Sequence, residues 1–138
     1  MNVSNNVMTR TDLRRLEILL ASEFTQAIGC KGYLTRFEQK LDDAKIVDSH
    51  EVLPNVVTMN STFRLRELRT DEAHTYTLVY PEEACIAEGK LSVLTPLGSE
   101  ILGHCADDEI LCRVQDRDER RRIETVSFQP ERVGAFNM

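Results

Sequence analysis

The sequence predicts an α+β protein: a short antiparallel helical hairpin over residues 1–50, then an antiparallel β-sheet domain with one short helix over residues 51–138. Three observations support this class. Apolar residues recur at helical spacing in the first part of the chain, on both sides of a glycine-containing break. Apolar and polar residues alternate in the middle of the chain, which is typical of half-buried strands. Proline and glycine bound the stretch from Pro96 to Gly103, as they would bound a helix.

The first helix is predicted to begin near Thr9 to Thr11, where a hydroxyl can cap it, and residues 1–8 before it are expected to fray because they show no periodicity. Two apolar stripes define the arms: Leu13, Leu16, Leu20, Phe24 and Ala27 in the first, and Leu34, Phe37, Leu41 and Ala44 in the second. Gly29 and Gly32 separate arms of about 15 residues, each roughly 20–25 Å long. So thin a hairpin cannot bury both stripes, so we expect it to lean on the β domain or on a partner.

Five short strands are predicted after a turn at residues 48–51. The first runs from Val56 to Arg66, and the second runs from His74 to Tyr80. The others begin at Gly89 or span residues 110–114 and 123–128. Ile123 is out of phase with the apolar residues that follow it, which predicts a β-bulge in the last strand. The helix from Pro96 to Gly103 is the expected cover for the apolar face of the sheet.

Composition narrows the class of protein. The net charge of −6 over 138 residues disfavours a non-specific nucleic-acid binder, and we expect no direct sequence-specific DNA binding. The first eight residues lack the apolar core of a signal peptide, and no apolar run approaches the roughly 20 residues of a membrane helix. The four cysteines lack paired spacing. They indicate reduced thiols in a cytoplasmic protein without membrane contact.

The sequence contains no signature of catalysis. A glycine-rich phosphate loop, a Gly-x-Ser-x-Gly turn and a His-Glu-x-x-His helix are all missing. Ser99 is expected on the surface of a helix. His104, Cys105 and Cys112 offer soft ligand atoms, but Cys112 alternates with apolar strand residues as a buried thiol would. We therefore expect no catalytic residue, no metal site, no cofactor and no enzymatic activity.

Several motifs, taken in order, resemble one family. They are Val57-Thr58-Met59-Asn60-Ser61, Tyr76-Thr77-Leu78-Val79-Tyr80-Pro81-Glu82, Leu91-Ser92-Val93-Leu94-Thr95-Pro96-Leu97-Gly98, Leu102-Gly103 and Phe128-Gln129-Pro130-Glu131. Their combination is similar to the regulator of nucleoside diphosphate kinase (Rnk) family, which is related to the Gre transcription elongation factors. The resemblance extends from about Leu13 to Phe128 and is strongest over residues 54–103.

The resemblance implies an FKBP-like C-terminal domain, a short N-terminal coiled coil, and binding to bacterial RNA polymerase near its secondary channel. The residues that match the gripping loop of Gre factors are Leu94, Thr95, Pro96 and Leu97, and we predict that they bind the polymerase. Leu94 stands where Gre proteins tend to carry an acid. The turn after the helix reads Ala106-Asp107-Asp108, without the glycine that is usual there.

The predicted hairpin tip is Ile28, Gly29, Cys30 and Lys31, and residues 26–33 contain no carboxylate. Gre factors carry two acids at the tip of a longer coiled coil, where they help to hold a catalytic magnesium ion. The resemblance therefore predicts a regulator that competes with Gre-type factors without stimulating transcript cleavage. The alternatives are a prolyl isomerase, which needs an aromatic-lined pocket, and a direct modulator of nucleoside diphosphate kinase. An indirect effect on that kinase, through transcription, is physically simpler.

Overall fold

The computed structural model describes residues 6–22, 31–114 and 117–134. Its α-helices in these ranges are α1 (Arg10–Ala21), α2 (Lys31–Asp43) and α3 (Pro96–Ile101). Its strands are β1 (Val7–Thr9), β2 (Lys45–Val47), β3 (Thr62–Glu67), β4 (Ala73–Val79), β5 (Lys90–Ser92), β6 (Glu109–Val114) and β7 (Arg117–Phe128). Short 3-10 turns lie at Pro81–Glu83, Ile86–Glu88 and Pro130–Val133. No described helix is both long and apolar enough to cross a bilayer.

Five strands form one sheet in the order β5-β4-β3-β7-β6, which confirms the α+β class and the strand count. All neighbours in this sheet are antiparallel except β4 and β5, which run parallel. The antiparallel prediction is thus wrong for that pair, because the loop over residues 80–89 returns the chain to the starting side of the sheet. A second, two-stranded parallel sheet joins β1 to β2.

The register between β3 and β7 shifts at two places, which leaves Glu124 and Ser127 as additional residues on β7. The shift at Glu124 places Ile123 opposite Leu65, and both side chains are buried. The predicted bulge near Ile123 is therefore confirmed. It allows β7 to keep apolar residues in the core although their spacing in the sequence is irregular.

The helices and the sheet share one hydrophobic core. The sheet contributes Phe63, Leu65, Leu78, Leu91, Ile110, Ile123 and Val126, while α1 and α2 contribute Leu16, Leu20, Leu34, Phe37 and Leu41. From α3 and its C-terminal end come Ile101 and Leu102, so the short helix does cover the apolar face as predicted. The described parts of the two arms pack on the β domain as expected, and the apolar stripes contact the shared core there, with Leu13 and Ala44 only partly buried.

Helix α1 begins where the sequence predicts, since the Thr9 side chain accepts a hydrogen bond from the Asp12 amide at 3.1 Å. The residues just before it were predicted wrongly, because Val7 and Met8 belong to β1 and Met8 is buried. The Val7 amide donates to the Gly103 carbonyl at 3.0 Å, which holds β1 against the end of α3. A strand of three residues is too short to show a period in the sequence. Phe24 and Ala27 lie outside the described residues.

The first predicted strand is half as long as expected. Strand β3 begins at Thr62, and the preceding residues form a turn in which Asn60 adopts a left-handed conformation with φ of 67°. The Thr58 amide donates to the Ser61 hydroxyl at 3.0 Å and stabilises that turn. Val57 and Met59 are nevertheless buried, so their apolar character reports core contact rather than strand structure.

Candidate protein-docking site

The predicted partner-binding residues, Leu94, Thr95, Pro96 and Leu97, are here called the docking turn; they follow β5 and include the first two residues of α3. The turn begins from Val93, which is fully buried and whose amide donates to β4 at 2.9 Å. The amide of Leu94 donates to the Ser92 hydroxyl at 3.1 Å, and the amide of Thr95 donates to the Ser92 carbonyl at 3.1 Å. The backbone of the docking turn is therefore fixed at its entry.

Thr95 caps helix α3. Its Oγ1 donates to the Ser92 carbonyl at 2.7 Å and accepts from the Gly98 amide at 3.0 Å. Since this hydroxyl satisfies two backbone groups, its role in the free protein is to hold the turn. A side chain at Gly98 would overlap the Ser92 carbonyl oxygen, so this close approach requires glycine.

The docking turn presents a small apolar surface. Pro96 is exposed, whereas Leu94 and Leu97 are half-buried and pack against the core. Pro96 is the first residue of α3, where its missing N–H has no intrahelical partner to lose. The apolar surface available to a partner thus consists of Pro96 and the exposed parts of Leu94 and Leu97, on a backbone that is fixed by hydrogen bonds.

The C-terminal end of α3 is held by Lys40 of α2. Its Nζ donates to the Ser99 carbonyl at 2.6 Å and to the Glu100 carbonyl at 2.8 Å. Burial lowers the pKa of Lys40 to about 8, although the Glu100 carboxylate opposes that effect. Arg36, one turn earlier on α2, forms an ion pair with Glu100 at 2.7 Å. Helix α2, which with α1 forms the helical pair of this protein, therefore contacts α3 directly.

Asp12 of α1 makes a second connection between the helices and the sheet domain. Its Oδ2 accepts from the Met59 amide at 3.0 Å, and the side chain is almost completely buried. Burial raises the pKa of Asp12 to about 7, and the nearby Glu131 adds to the rise, whereas the Met59 hydrogen bond and Arg15 oppose it. Burial thus favours the protonated form of Asp12 over the carboxylate.

Two of the motifs that carry the family resemblance meet next to Asp12. The Thr58 hydroxyl donates to Glu131 Oε1 at 2.6 Å and lies 2.9 Å from the Ser61 hydroxyl. Gln129 is fully buried, and its Nε2 donates to the Val56 carbonyl at 2.8 Å. The Thr58 and Gln129 motifs, which are more than 70 residues apart in the chain, together form the junction that receives α1.

Of the predicted hairpin tip, Ile28, Gly29 and Cys30 lie outside the described residues. Lys31 is the first residue of α2. Leu34, three residues further on, is already buried in the shared core.

The turn after α3 is built without glycine. Asp107 takes the left-handed conformation, with φ of 76°, and Asp108 Oδ2 accepts from the Cys105 amide at 3.0 Å. Short polar side chains tolerate this conformation better than others, which explains how aspartate serves here.

The Cys105 thiol and the His104 imidazole, which lie near this turn, both contact the carboxylate of Asp108. Asp108 Oδ2 lies 3.2 Å from His104 Nδ1 and 3.4 Å from Cys105 Sγ. Burial raises the pKa of the Cys105 thiol, and the Asp108 charge adds to the rise, which keeps the thiol protonated and a poor nucleophile. The side chain of Cys112 lies outside the part of the chain that the structure describes.

Ser99 is buried rather than on the helix surface as predicted, since α3 lies against the core. Its hydroxyl donates to the Pro96 carbonyl at 3.0 Å.

The described residues contain one group with three convergent ligand atoms, Asp48, His50 and Glu51, all within 4.8 Å of one another. No spacing pattern in the sequence marks these three residues as a metal site. Arg10 Nε donates to Asp48 Oδ1 at 3.2 Å, and the Asp48 amide donates to Glu51 Oε1 at 3.3 Å. The positive charge of Arg10 in that position repels a cation. We therefore interpret these residues as an ion pair and a turn, not as a metal site.

Asp12 and Lys40 are the residues that sequence reasoning missed. Asp12 directly follows the predicted helix start, but nothing in the neighbouring sequence shows that it binds a backbone amide 47 residues away. Lys40 lies between apolar positions of α2 and has the pattern of a solvated lysine. Only the contact with α3 distinguishes it.

Comparison with known proteins identifies the sheet domain. Residues 52–128 match the family model described as transcription elongation factor, GreA/GreB, C-terminal. GreA of Listeria welshimeri is 32% identical over 97 residues, which are 70% of this chain and 61% of that protein. The chain thus spans about three fifths of the length of such GreA relatives.

Two further relatives extend over nearly the whole chain. The regulator of nucleoside diphosphate kinase of Escherichia coli K12 is 28% identical over 131 residues, which are 94% of both chains. The solved structure of a transcription elongation factor GreA/GreB from Nitrosomonas europaea covers 91% of this chain and 100% of that one, with 35% identity and a TM-score of 0.73. The predicted resemblance to the Rnk family and to the Gre factors is therefore confirmed. The relatives found are named as transcription elongation factors and as a regulator of nucleoside diphosphate kinase.

Proposed function

The chain belongs to the family of GreA/GreB transcription elongation factors through its C-terminal region, and from that premise we propose that it is a regulator that binds bacterial RNA polymerase. It would dock near the secondary channel through the docking turn and compete there with Gre-type factors. The observation that supports this most is the docking turn itself, where Thr95, Ser92 and Gly98 hold Pro96 exposed on a rigid support. Interfaces derive most of their energy from a few well-placed apolar anchors of this kind.

The same proposal excludes transcript cleavage. Residues 26–33 contain no carboxylate, whereas the resemblance assigns Gre factors an acidic pair at their tip. Helix α2 has 13 residues and is therefore only about 20 Å long. Its buried residues Leu34 and Phe37 lie in the core shared with the sheet, so the helix is committed to packing along much of its length. Both reach and chemistry thus differ from what cleavage needs.

A binding and cleavage experiment tests the proposal. Purified protein is mixed with core polymerase, and retention is measured at micromolar concentrations with and without a GreA protein as competitor. The same preparation is added to backtracked elongation complexes, with GreA as the positive control. We expect retention that GreA diminishes and no release of short RNA. Failure to bind or to compete would contradict docking, whereas RNA release by this protein alone would contradict the exclusion of cleavage.

The Escherichia coli relative is named for nucleoside diphosphate kinase, and for this chain we propose an indirect effect on that kinase through transcription. Mixing the two purified proteins and measuring kinase turnover distinguishes the routes, because an indirect effect leaves turnover unchanged. A prolyl isomerase finds less support. Phe63 is fully buried, and its ring packs 6.1 Å from that of Tyr76, so these aromatic side chains serve the core.

A further inference from the structure

Helix α3 is too short to be stable by itself. It has six residues, and in so short a helix most backbone groups lack an intrahelical partner. Its geometry therefore depends on what binds its two ends. Thr95 satisfies the N-terminal end from within the docking turn, as described above. The C-terminal end is satisfied from a different part of the molecule.

Lys40 supplies that second contact. Its ammonium group lies within 2.8 Å of the carbonyl oxygens of Ser99 and Glu100, about 60 positions further along the chain. A cation at this end also interacts favourably with the helix dipole. The backbone carbonyl of Lys40 accepts from Asn6 Nδ2 at 3.2 Å, so the segment that carries Lys40 is itself connected to the residue before β1.

We propose that Lys40 is a positioning residue for the docking turn: by holding the last carbonyls of α3, it lets the helical pair set the orientation of Pro96. This inference rests on the proposed function in so far as the docking turn binds polymerase. Loss of the Lys40 contact frays α3 from its C-terminal end. Because the helix has fewer than two turns, that fraying reaches Thr95 and the residues it caps.

The charged groups around Lys40 provide a readout that packing alone would not. Glu100 faces it from α3, Arg36 lies one turn away on α2, and His104 follows α3. Burial lowers the pKa of Lys40 to about 8, and burial together with the Lys40 charge lowers the pKa of His104. As pH rises through the pKa of Lys40, the ammonium loses its charge and its hold on α3 weakens. His104 is neutral throughout that range, so it adds no second transition.

The experiment compares Lys40→Met with Lys45→Met, which removes the same charge from an exposed position on β2. Hydrogen exchange of the Ser99 and Leu102 amides is measured in the free proteins, as protection relative to β3. Polymerase affinity is then measured at pH 7. For Lys40→Met we expect lower protection of both amides and an affinity about tenfold weaker, the effect of losing one charged hydrogen-bonding group. Lys45→Met should match the wild type in both.

Each outcome decides one part of the inference. Unchanged protection of α3 in Lys40→Met overturns the positioning role. If protection falls while affinity stays the same, the link to docking is wrong. If the wild type itself does not bind polymerase, the proposed function fails, and the exchange data still decide the role of Lys40 in α3. Should Lys40→Met not fold, the wild type measured from pH 7 to about 9.5 replaces it, with the α3 amides expected to lose protection above the Lys40 pKa.

Discussion

Asp12 Oδ2 accepts a hydrogen bond from the Met59 amide at 3.0 Å, which ties the first turn of α1 to the turn that precedes β3. Asp12 is only 2% exposed, and Glu131 lies near enough to raise its pKa. A buried carboxylate with a second carboxylate nearby is costly when ionised. The ionisation of Asp12 therefore makes the attachment of α1 to the sheet domain sensitive to pH.

Replacing Asp12 with asparagine should stabilise the protein at alkaline pH. The pKa of Asp12 rises on folding from its ordinary value of 3.8 to about 7, so the folded state binds more protons than the unfolded state between these values. Stability of the wild type therefore falls as pH rises from about 4 to 7 and then levels off. The asparagine side chain keeps an oxygen for the Met59 amide without the charge. We expect Asp12→Asn to be more stable by roughly 2–4 kcal/mol at pH 8, with no difference near pH 3.

Urea unfolding of both proteins between pH 3 and 8 measures this difference. Asp48→Asn is the control, since Asp48 lies at the surface of a turn and its carboxylate binds Arg10. A stability difference for Asp12→Asn that stays constant over the whole range would refute the assignment of the pH dependence to Asp12.

Replacing Thr58 with valine should weaken the junction between the Thr58 and Gln129 motifs. The change keeps the shape of the side chain and removes the hydroxyl that donates to Glu131 at 2.6 Å. The Ser61 hydroxyl, 2.9 Å away, loses a partner as well. We expect a loss of about 1.5–3 kcal/mol, as for a hydrogen bond to a charged group. Thr75→Val, on an exposed position of β4, should change stability by less than about 0.5 kcal/mol. Equal thermal midpoints for the two variants would count against the junction.

Gly98→Ala should disrupt the docking turn. A methyl group there overlaps the carbonyl oxygen of Ser92, and that oxygen cannot move without losing its hydrogen bonds from Thr95. We expect destabilisation of about 2–3 kcal/mol, at the upper end of the range for overpacked sites, together with weaker polymerase binding.

Gly134→Ala provides the control for this substitution. Gly134 has a φ of +78° with nothing within 4 Å of the added methyl, so only the backbone conformation is penalised, by about 1 kcal/mol. If the two variants lose equal stability in thermal unfolding, the close approach at Gly98 does not matter.

Pro96→Ala should reduce polymerase affinity without unfolding the protein. Pro96 is exposed at the first position of α3, where alanine is also accepted. If Pro96 is an anchor of the interface, its truncation weakens binding by about five- to tenfold, the effect of a loss above 1 kcal/mol. Pro54→Ala, at another exposed proline, should bind as the wild type does. Unchanged affinity in a pull-down titration with Pro96→Ala would move the docking surface elsewhere.

Local patterns account for much of what could be predicted. The alternation around Tyr76 and the phase break at Ile123 are properties of neighbouring residues, and the structure has β4 and the bulge in β7 at these positions. The cap at Thr9 and the short helix from Pro96 depend on residues within one turn, so they too could be predicted. The short strands β1 and β2 could not, because each exists only through pairing with a partner more than 30 residues away.

The candidate site divides in the same way. Leu94–Leu97 could be located through the family resemblance, and their role in docking remains a prediction. That the Thr95 hydroxyl binds both Ser92 and Gly98 depends on the folded backbone and could not be predicted.

By itself, the sequence determined the α+β class, the number of strands in the large sheet and the family, because these depend on periodicity and short motifs. Only the tertiary structure decided that Asp12 and Lys40 connect the helices to the sheet domain. Each of these charged residues binds backbone groups that are distant in the chain. A backbone group has the same chemistry at every position, so no sequence pattern can show which one a side chain will meet.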